Sequence, residues 1–408
     1  MNNSYDILII GGGAAGFFCA INTAQMNPKA KIALLERGKE VLTKVKVSGG
    51  GRCNVTHAQF DPKELSQNYP RGEQELLGPF HSFMTGDTIS WFEERGIELK
   101  IEEDGRMFPV TDSSQTIIDC FISQVERHGI DLLTGHSVKN IAKSGEIWQV
   151  TTVSEVFEST ALVIATGSNP KMWKLLEHLG HSIVPPVASL FTFNIKDGRI
   201  LDLPGVATNV SVKVMGGKGK IVLESEGPLL ITHWGMSGPA ILKLSAWGAR
   251  ILEPVNYHFG IRVNWLYDVS ETTALENLME LKVENPKQTL FKYTQFELPK
   301  RLWQNLVKAS GIDPSETWAG ISKKKLQNLA NQLTESHFDV QGKSTFKEEF
   351  VTAGGVDLKE VNFKTFESKL HKNLYFAGEV LNIDAITGGF NFQNAWTGAF
   401  IVAKALTQ

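Results

Sequence analysis

Gly11-Gly12-Gly13-Ala14-Ala15-Gly16 follows the apolar run Asp6 to Ile10 and precedes a helical stretch, Phe17 to Met26. This is the spacing G-x-G-x-x-G between a strand and a helix, which suits the pyrophosphate of a dinucleotide. Gly11 permits the tight turn, Gly13 lets the backbone approach a phosphate, and Gly16 lets the helix lie close on the strand. The free N–H groups of the helix start, around Ala14 and Ala15, then face the anion. Lys31 to Leu35 reads as the second strand, and Glu36 ends it, with Arg37 beside it. A carboxylate at that point accepts hydrogen bonds from both hydroxyls of a ribose. The bland alternative is a glycine-rich turn in an ordinary α/β unit.

Three later segments select FAD over a nicotinamide dinucleotide. Ala165-Thr166-Gly167 closes a buried strand, as the second glycine turn does in flavoproteins of the glutathione-reductase structural class. Tyr375-Phe376-Ala377-Gly378-Glu379 again ends a strand in glycine plus an acid. Gly388-Gly389-Phe390-Asn391 opens the last helix, whose positive end favours an anionic reduced flavin. A helix terminus contributes about 0.3–1 kcal/mol, while micromolar retention takes about 8 kcal/mol. Several segments must therefore share the cofactor. No second G-x-G-x-x-G stands between strand and helix, so NAD(P)H is expected only as a transient visitor. Gly216 to Lys220 reads as a hairpin tip.

The second unusual stretch runs from Lys44 to Thr56. Its three glycines, Gly49, Gly50 and Gly51, open the backbone to close approach. Lys44 and Arg52 set cations beside them, and a charge-assisted hydrogen bond contributes about 1.5–3 kcal/mol. Cys53 is read as a packing residue beside the cofactor in preference to a redox thiol. The alternative for the whole stretch is a flexible surface loop.

These motifs need elements to hold them. The chain has 408 residues, enough for two or three domains, with 42% hydrophobic and 21% charged content. Strand and helix signals alternate up to about residue 190. Asp87 to Arg95 and Ser113 to His128 read as helices, the latter with Ser113 as N-cap. Asp131 to Leu133 reads as a parallel strand, and Ile147 to Thr152 with Glu155 to Thr160 as a hairpin or meander. Ala161 to Ala165 reads as a separate buried strand. After Pro185-Pro186 the pattern turns β-rich, then helical and polar from Ser270 to Glu335. Strand character returns around Phe338 to Val351, and Leu374 to Ala377 followed by a helix from Phe392 resumes the first theme. The expected fold class is α/β: a glutathione-reductase-type FAD-binding Rossmann-like domain (1–190 and 350–408), with an inserted β-rich domain (191–269 and 336–349) and a helical subdomain (270–335).

Forty-one basic against forty-four acidic residues give a net charge of −3, which argues against a nucleic-acid protein built on bulk positive charge but not against a local patch. Lys323-Lys324-Lys325 reads as a solvated helix face. Cys19, Cys53 and Cys120 are too few and too scattered for a disulfide framework or a zinc site, so no metal is expected. No segment is long enough to span a membrane and no signal peptide is visible, which makes a reducing cytoplasm the expected compartment.

Together these motifs resemble the bacterial BaiN-like flavoproteins, also described as aminoacetone-oxidase-like or NAD(P)/FAD-dependent oxidoreductases. The resemblance adds Thr232-His233-Trp234-Gly235-Met236-Ser237-Gly238-Pro239 and Thr352-Ala353-Gly354-Gly355-Val356 to the segments above and spans nearly the whole chain. It implies non-covalent FAD, a three-part architecture, and cofactor contacts from the fingerprint, the glycine-arginine loop, the Gly378-Glu379 turn and the start of the last helix. Asn382-Ile383-Asp384-Ala385 departs from the family's commoner acidic first and glycine last positions.

The expected reaction is hydride transfer between a small organic substrate and the flavin, with oxygen or NAD(P)H as second redox partner. His233 is the acid–base candidate, since an unperturbed imidazole titrates near neutrality. Asp384 either contacts the flavin or caps a turn. Thr352 to Gly355 either lines the flavin or forms a hinge turn. Trp234 and Trp396 are read as core. The alternatives are a flavin-dependent RNA-modifying protein, which needs a basic docking face, and a flavin sensor, which needs an output module.

Overall fold

The computed structural model describes residues 3–344 and 351–408. Residues 345–350, at the end of the expected returning strand, lie outside the described residues. The chain divides into two compact units, Met1–Val187 with Lys347–Gln408, and Ala188–Phe346.

The first unit is organised by five parallel strands. Their order across the sheet is Leu374–Phe376, Val156–Ile164, Ser4–Ile10, Ile32–Leu35 and Asp131–Leu133. The stretches Ile7 to Ile10, Ile32 to Leu35 and Ala161 to Ile164 are apolar and buried without alternation, as expected of strands covered on both faces. Register decides what this sheet can do. Ile10 sits opposite both Leu35 and Ile164, and Ile164 opposite Phe376. The residues that follow, Gly11, Glu36, Ala165 and Ala377, therefore emerge side by side at the carboxyl edge, where open α/β sheets bind ligands.

The predicted pair of strands between Glu155 and Ala165 is one strand, Val156–Ile164. It serves two partners, closing an antiparallel meander with Val138–Ser144 and Ile147–Thr152 while running parallel to the first strand. Thr352 to Gly355 forms no hinge turn. It lies in the buried strand Val351–Val356, where a Cβ on Gly355 would stand 2.5 Å from the Val380 carbonyl oxygen.

Ser113 caps the helix Ser114–Arg127 by accepting from the Gln115 N–H. The fingerprint helix Ala14–Met26 packs against the last helix, Phe390–Leu406, through aromatic rings. Phe18 lies 4.6 Å from Trp91 and 5.1 Å from Trp396, and Trp396 lies 5.6 Å from Phe121. Trp396 is fully buried and donates its indole N–H to the Val55 carbonyl. It thus joins both ends of the chain to the glycine-rich segment.

The second unit holds a seven-stranded antiparallel sheet, ordered Ser336–Gln341, His258–Asn264, Ala207–Met215, Ile221–Ile231, Gly235–Ser237, Thr192–Asn194 and Lys343–Ser344. Gly216 to Lys220 is the tip of its longest hairpin. The helices of 270–335 belong to the same compact unit as this sheet. Trp265, just past the end of one strand, donates its backbone N–H to the Leu333 carbonyl on the helix Lys323–Thr334. Trp234 is 58% exposed, contrary to the expected core position, because it sits at the apex of a tight turn.

Among the described residues no helix is long and apolar enough to cross a membrane. The three cysteines are free and buried.

Replacing Trp396 with Ala removes the ring that binds three segments of the first unit. It is expected to cost about 3–5 kcal/mol, read as a lowered midpoint in urea denaturation of the FAD-free protein.

Candidate functional site

The carboxyl edge of the parallel sheet is built by backbone contacts too close for any side chain. Gly11 has φ +120°, and a Cβ there would fall 2.3 Å from the Ala165 carbonyl oxygen. A Cβ on Gly16 would fall 1.9 Å from the Gly11 carbonyl oxygen. These two glycines are consumed by packing the first turn on the second and the helix on the turn. Gly13 differs, since a Cβ there would meet nothing within 4 Å. It is the N-cap of Ala14–Met26 and makes no side-chain capping bond. A half-exposed, uncapped helix start is left, with N–H groups lacking intrahelical partners.

Glu36 holds this turn in shape. One carboxylate oxygen accepts from the Gly12 N–H at 2.9 Å and the other from the Gly38 N–H at 2.7 Å. Each oxygen keeps a second lone pair for a hydroxyl. Arg37 beside it is exposed.

The glycine-arginine stretch is not a plain loop. Thr43–Gly51 begins as helix, and the backbone then turns extended at Ser48 and left-handed at Gly49, Gly50 and Gly51 (φ 58°, 69° and 84°). Gly49 is packed, with Phe108 2.8 Å from where its Cβ would be, while Gly50 and Gly51 face open space. Arg52 is not a free cation beside them. Its guanidinium pairs with Glu102 at 2.5 Å and Asp112 at 3.4 Å, and stacks over Phe108 at 3.9 Å. Cys53 is fully buried, and burial pushes its thiol up to about 12, so it stays protonated and unreactive.

Lys44, half-exposed, lies 2.5 Å from Glu379. A Cβ on Gly167 would stand 3.7 Å from the same Glu379 carboxylate, and one on Gly378 3.1 Å from the Ala15 methyl. The fingerprint, the second glycine turn, the helix of Lys44 and the late Gly-Glu turn are thus gathered at one place. Thr166 is there too, its buried hydroxyl without a partner in the protein.

The segment from Asp384 to Asn391 is turned into the protein. Asp384 is fully buried and held by Arg71, whose Nε donates to Oδ1 at 2.5 Å. The buried carboxylate is thus engaged by the guanidinium inside the protein. Asn391 accepts from the Ala385 N–H at 3.0 Å and donates to the Ala385 carbonyl at 3.3 Å. Phe390 is buried, stacks on His57 with ring centres 4.5 Å apart, and gives its carbonyl to the Tyr69 hydroxyl at 2.6 Å. A Cβ on Gly389 would fall 2.5 Å from the Thr56 carbonyl oxygen. These side chains fix the last helix in place.

Gln393 closes the run that Gly388 opens, and the sequence alone gives it no role of its own. It is fully buried, with its amide oxygen accepting from Thr56 at 2.6 Å and Thr88 at 2.9 Å while its nitrogen donates to Thr397. Its signal was a Gln four residues before Thr397 in the first turns of the helix. Arg71, His57 and Tyr69 carried no comparable signal.

His233 belongs to the second unit. It is exposed, in a turn where Thr232 Oγ1 accepts from the Trp234 and Gly235 N–H groups.

An uncapped helix start, bare glycine backbone at Gly13, Gly50 and Gly51, a carboxylate with spare lone pairs and a half-exposed lysine fit an anionic dinucleotide. The comparisons with known proteins agree. The family profile for the HI0933-like protein Rossmann domain matches residues 5–405. The chain belongs to this family. Its members related to this chain are bacterial FAD-dependent oxidoreductases, and so is this chain. It is 30% identical over 423 aligned residues to the ribosomal RNA dihydrouridine synthase of Haemophilus influenzae, covering all of both chains. It is 24% identical to the 3-dehydro-bile acid delta(4,6)-reductase of Clostridium scindens, covering 98% of each. Among solved structures, 3-ketosteroid delta1-dehydrogenase of Sterolibacterium denitrificans superposes with a TM-score of 0.52 at 11% identity over the full length of both, a likeness of fold alone.

Glu36→Ala removes a carboxylate whose spare lone pairs suit the ribose hydroxyls. FAD affinity is expected to fall about 10- to 100-fold, the loss of one or two charge-assisted hydrogen bonds. Equilibrium titration of the stripped protein with FAD reads this, and an unchanged Kd would remove Glu36 from the site.

Proposed function

We propose that the protein is a reductase that saturates an activated carbon–carbon double bond, and that this bond is the C5=C6 bond of a uridine in ribosomal RNA. The observation that carries the reading is end-to-end likeness. The relatives from H. influenzae and Escherichia coli, both named ribosomal RNA dihydrouridine synthase, are each 30% identical over at least 98% of both chains. The C. scindens relative, named a delta(4,6)-reductase, supports the coarser part, since it too reduces a ring double bond.

The chemistry balances with a nicotinamide donor. NAD(P)H and a proton are consumed, NAD(P)⁺ is released, and the pyrimidine gains one hydrogen at each of C5 and C6. Bound FAD supplies the hydride-transfer chemistry. The chain's residues bind and orient: Gly13 and the helix start take phosphate, Glu36 takes ribose, and Lys44 and Arg37 supply positive charge at the rim. The absence of a second dinucleotide fingerprint agrees with a donor that docks briefly. Oxygen as second partner would fit an oxidase, and the likeness to reductases argues for the other direction.

The test uses FAD-loaded protein, NAD(P)H and an unmodified ribosomal RNA transcript under anaerobic conditions. Nuclease digestion and mass spectrometry are expected to find dihydrouridine at a defined position. Saturation of a conjugated cyclic enone with untouched RNA would overturn the RNA assignment and keep the reductase. No reduction of either would overturn both. The acid–base role proposed for His233 is read in the same assay. His233→Ala should lower turnover about 100-fold, within the usual range for a general acid, while FAD content stays constant.

A further inference from the structure

A ribosomal RNA substrate calls for a surface that takes phosphates, and a net charge of −3 does not provide one in bulk. The run Lys323 to Lys325 offers little, because Lys325 is paired with Glu316. The first unit gathers a different set of lysines that the linear sequence does not show together.

The helix Pro170–His178 exposes Lys171 and Lys174 and buries Met172, Trp173 and Leu176. Lys171 lies in the first helical turn, which holds no acid. A cation there opposes the helix dipole, so helix stability does not account for it. At the other end of this helix, the Leu179 carbonyl accepts from His371 at 2.6 Å. That contact brings in the segment of Lys369 and Lys372, both exposed. Lys369 donates to the Lys359 carbonyl at 2.8 Å. Lys143, on the strand Val138–Ser144, donates to the Lys372 carbonyl at 2.8 Å and lies over Trp148. The ammonium groups of Lys143 and Lys369 thus meet backbone carbonyls of other lysine residues, not carboxylates.

Three nearby acids are half-exposed and accept from backbone N–H groups. Asp357 accepts from the Lys359 N–H, Glu367 from the Asn373 N–H, and Glu360 from the Ser182 N–H. Two acids are exposed, Glu177 on the helix of Lys174 and Glu146 in the hairpin turn that follows the strand of Lys143. The segment is also rigid. Glu360 bonds His181 at 2.8 Å, and the other ring nitrogen of His181 bonds Ser368 at 3.1 Å. Ser368 Oγ already accepts from the Leu370 and His371 N–H groups, so it donates to His181. That fixes the imidazole proton on the nitrogen facing Glu360, and burial, which lowers the His181 pKa, keeps the ring neutral.

We propose that this lysine face, on the helix Pro170–His178, the strand Val138–Ser144 and the segment 359–372, is the docking surface for the phosphate backbone of the RNA substrate. The inference rests on the RNA reading above. Phosphate contacts position a nucleic acid without reading its sequence, so this face would set affinity and leave the choice of base to the flavin site.

The experiment compares FAD-loaded wild type with the triple variant Lys171→Glu, Lys174→Glu, Lys372→Glu. Binding to the ribosomal RNA transcript is measured across a salt series, and dihydrouridine formation alongside. These three side chains are exposed. The variant is expected to bind about tenfold or more weakly. Its slope of log affinity on log salt should be shallower by about 2–3, as each phosphate contact contributes about 0.7–0.9. FAD content and the melting curve verify folding, and Lys171→Gln, Lys174→Gln, Lys372→Gln, which adds no negative charge, should show a smaller loss of the same kind. Lys323→Glu with Lys324→Glu should leave binding unchanged. Wild-type modification of RNA with an unaltered triple variant overturns this surface and spares the function. Wild type that neither binds nor modifies RNA overturns both, and equal capture of acidic lipid vesicles in place of RNA overturns the assignment of the partner.

Discussion

The structure depends on backbone meeting backbone at one edge of the parallel sheet. Ile10, Leu35, Ile164 and Phe376 stand in register, so four loops leave the sheet at one level. They fit only because Gly11 has no side chain against Ala165 and Gly16 has none against the Gly11 carbonyl. Packing this close lets the first turn and the helix start reach the same ligand. The same constraint explains why Gly13 can remain open, since its neighbours already carry the steric load.

Charge is distributed around that edge in a consistent way. Glu36 is held by two N–H groups and points its remaining capacity outward. Lys44 and Glu379 neutralise one another at the rim. The lysine of this pair is 53% exposed, so water screens it on one side. Arg71 and Asp384 show the opposite regime. Their pair is buried, so removing one partner would strand a charge. The first pair is therefore open to solvent, whereas the second fixes the loop beside it.

Legibility in the sequence followed the same division. Features set by local chemistry could be read directly: the strand–turn–helix of the glycine fingerprint, the Ser113 cap, the parallel strands and the hairpin tip at Gly216 to Lys220. What escaped depends on contacts between distant residues. Arg52 looked free in the sequence, yet Glu102 and Asp112 claim it. Asp384, Phe390 and Asn391 stood beside the glycines of the last helix, yet each side chain is engaged within the protein. A strand shared by two sheet regions looked like two strands, because its outer half alternates and its inner half does not. Trp234 was read from hydrophobicity, and a turn apex overrides that preference.

The engaged side chains also explain how an apolar helix can be placed with accuracy. The helix Phe390–Leu406 is buried on most of its surface, and hydrophobic contact alone is non-directional. Left to that force, it could slide or rotate at small cost. Gln393 prevents this with hydrogen bonds to Thr56 and Thr88, and Trp396 adds a bond to the Val55 carbonyl. A wrong register would leave several of these buried groups unpaired, at about 1–3 kcal/mol each. Thr56 and Val55 follow the glycine-arginine stretch in the chain, so the bonds that set the helix also set that stretch. Two motifs more than three hundred residues apart in sequence are in this way held as one part of the first unit.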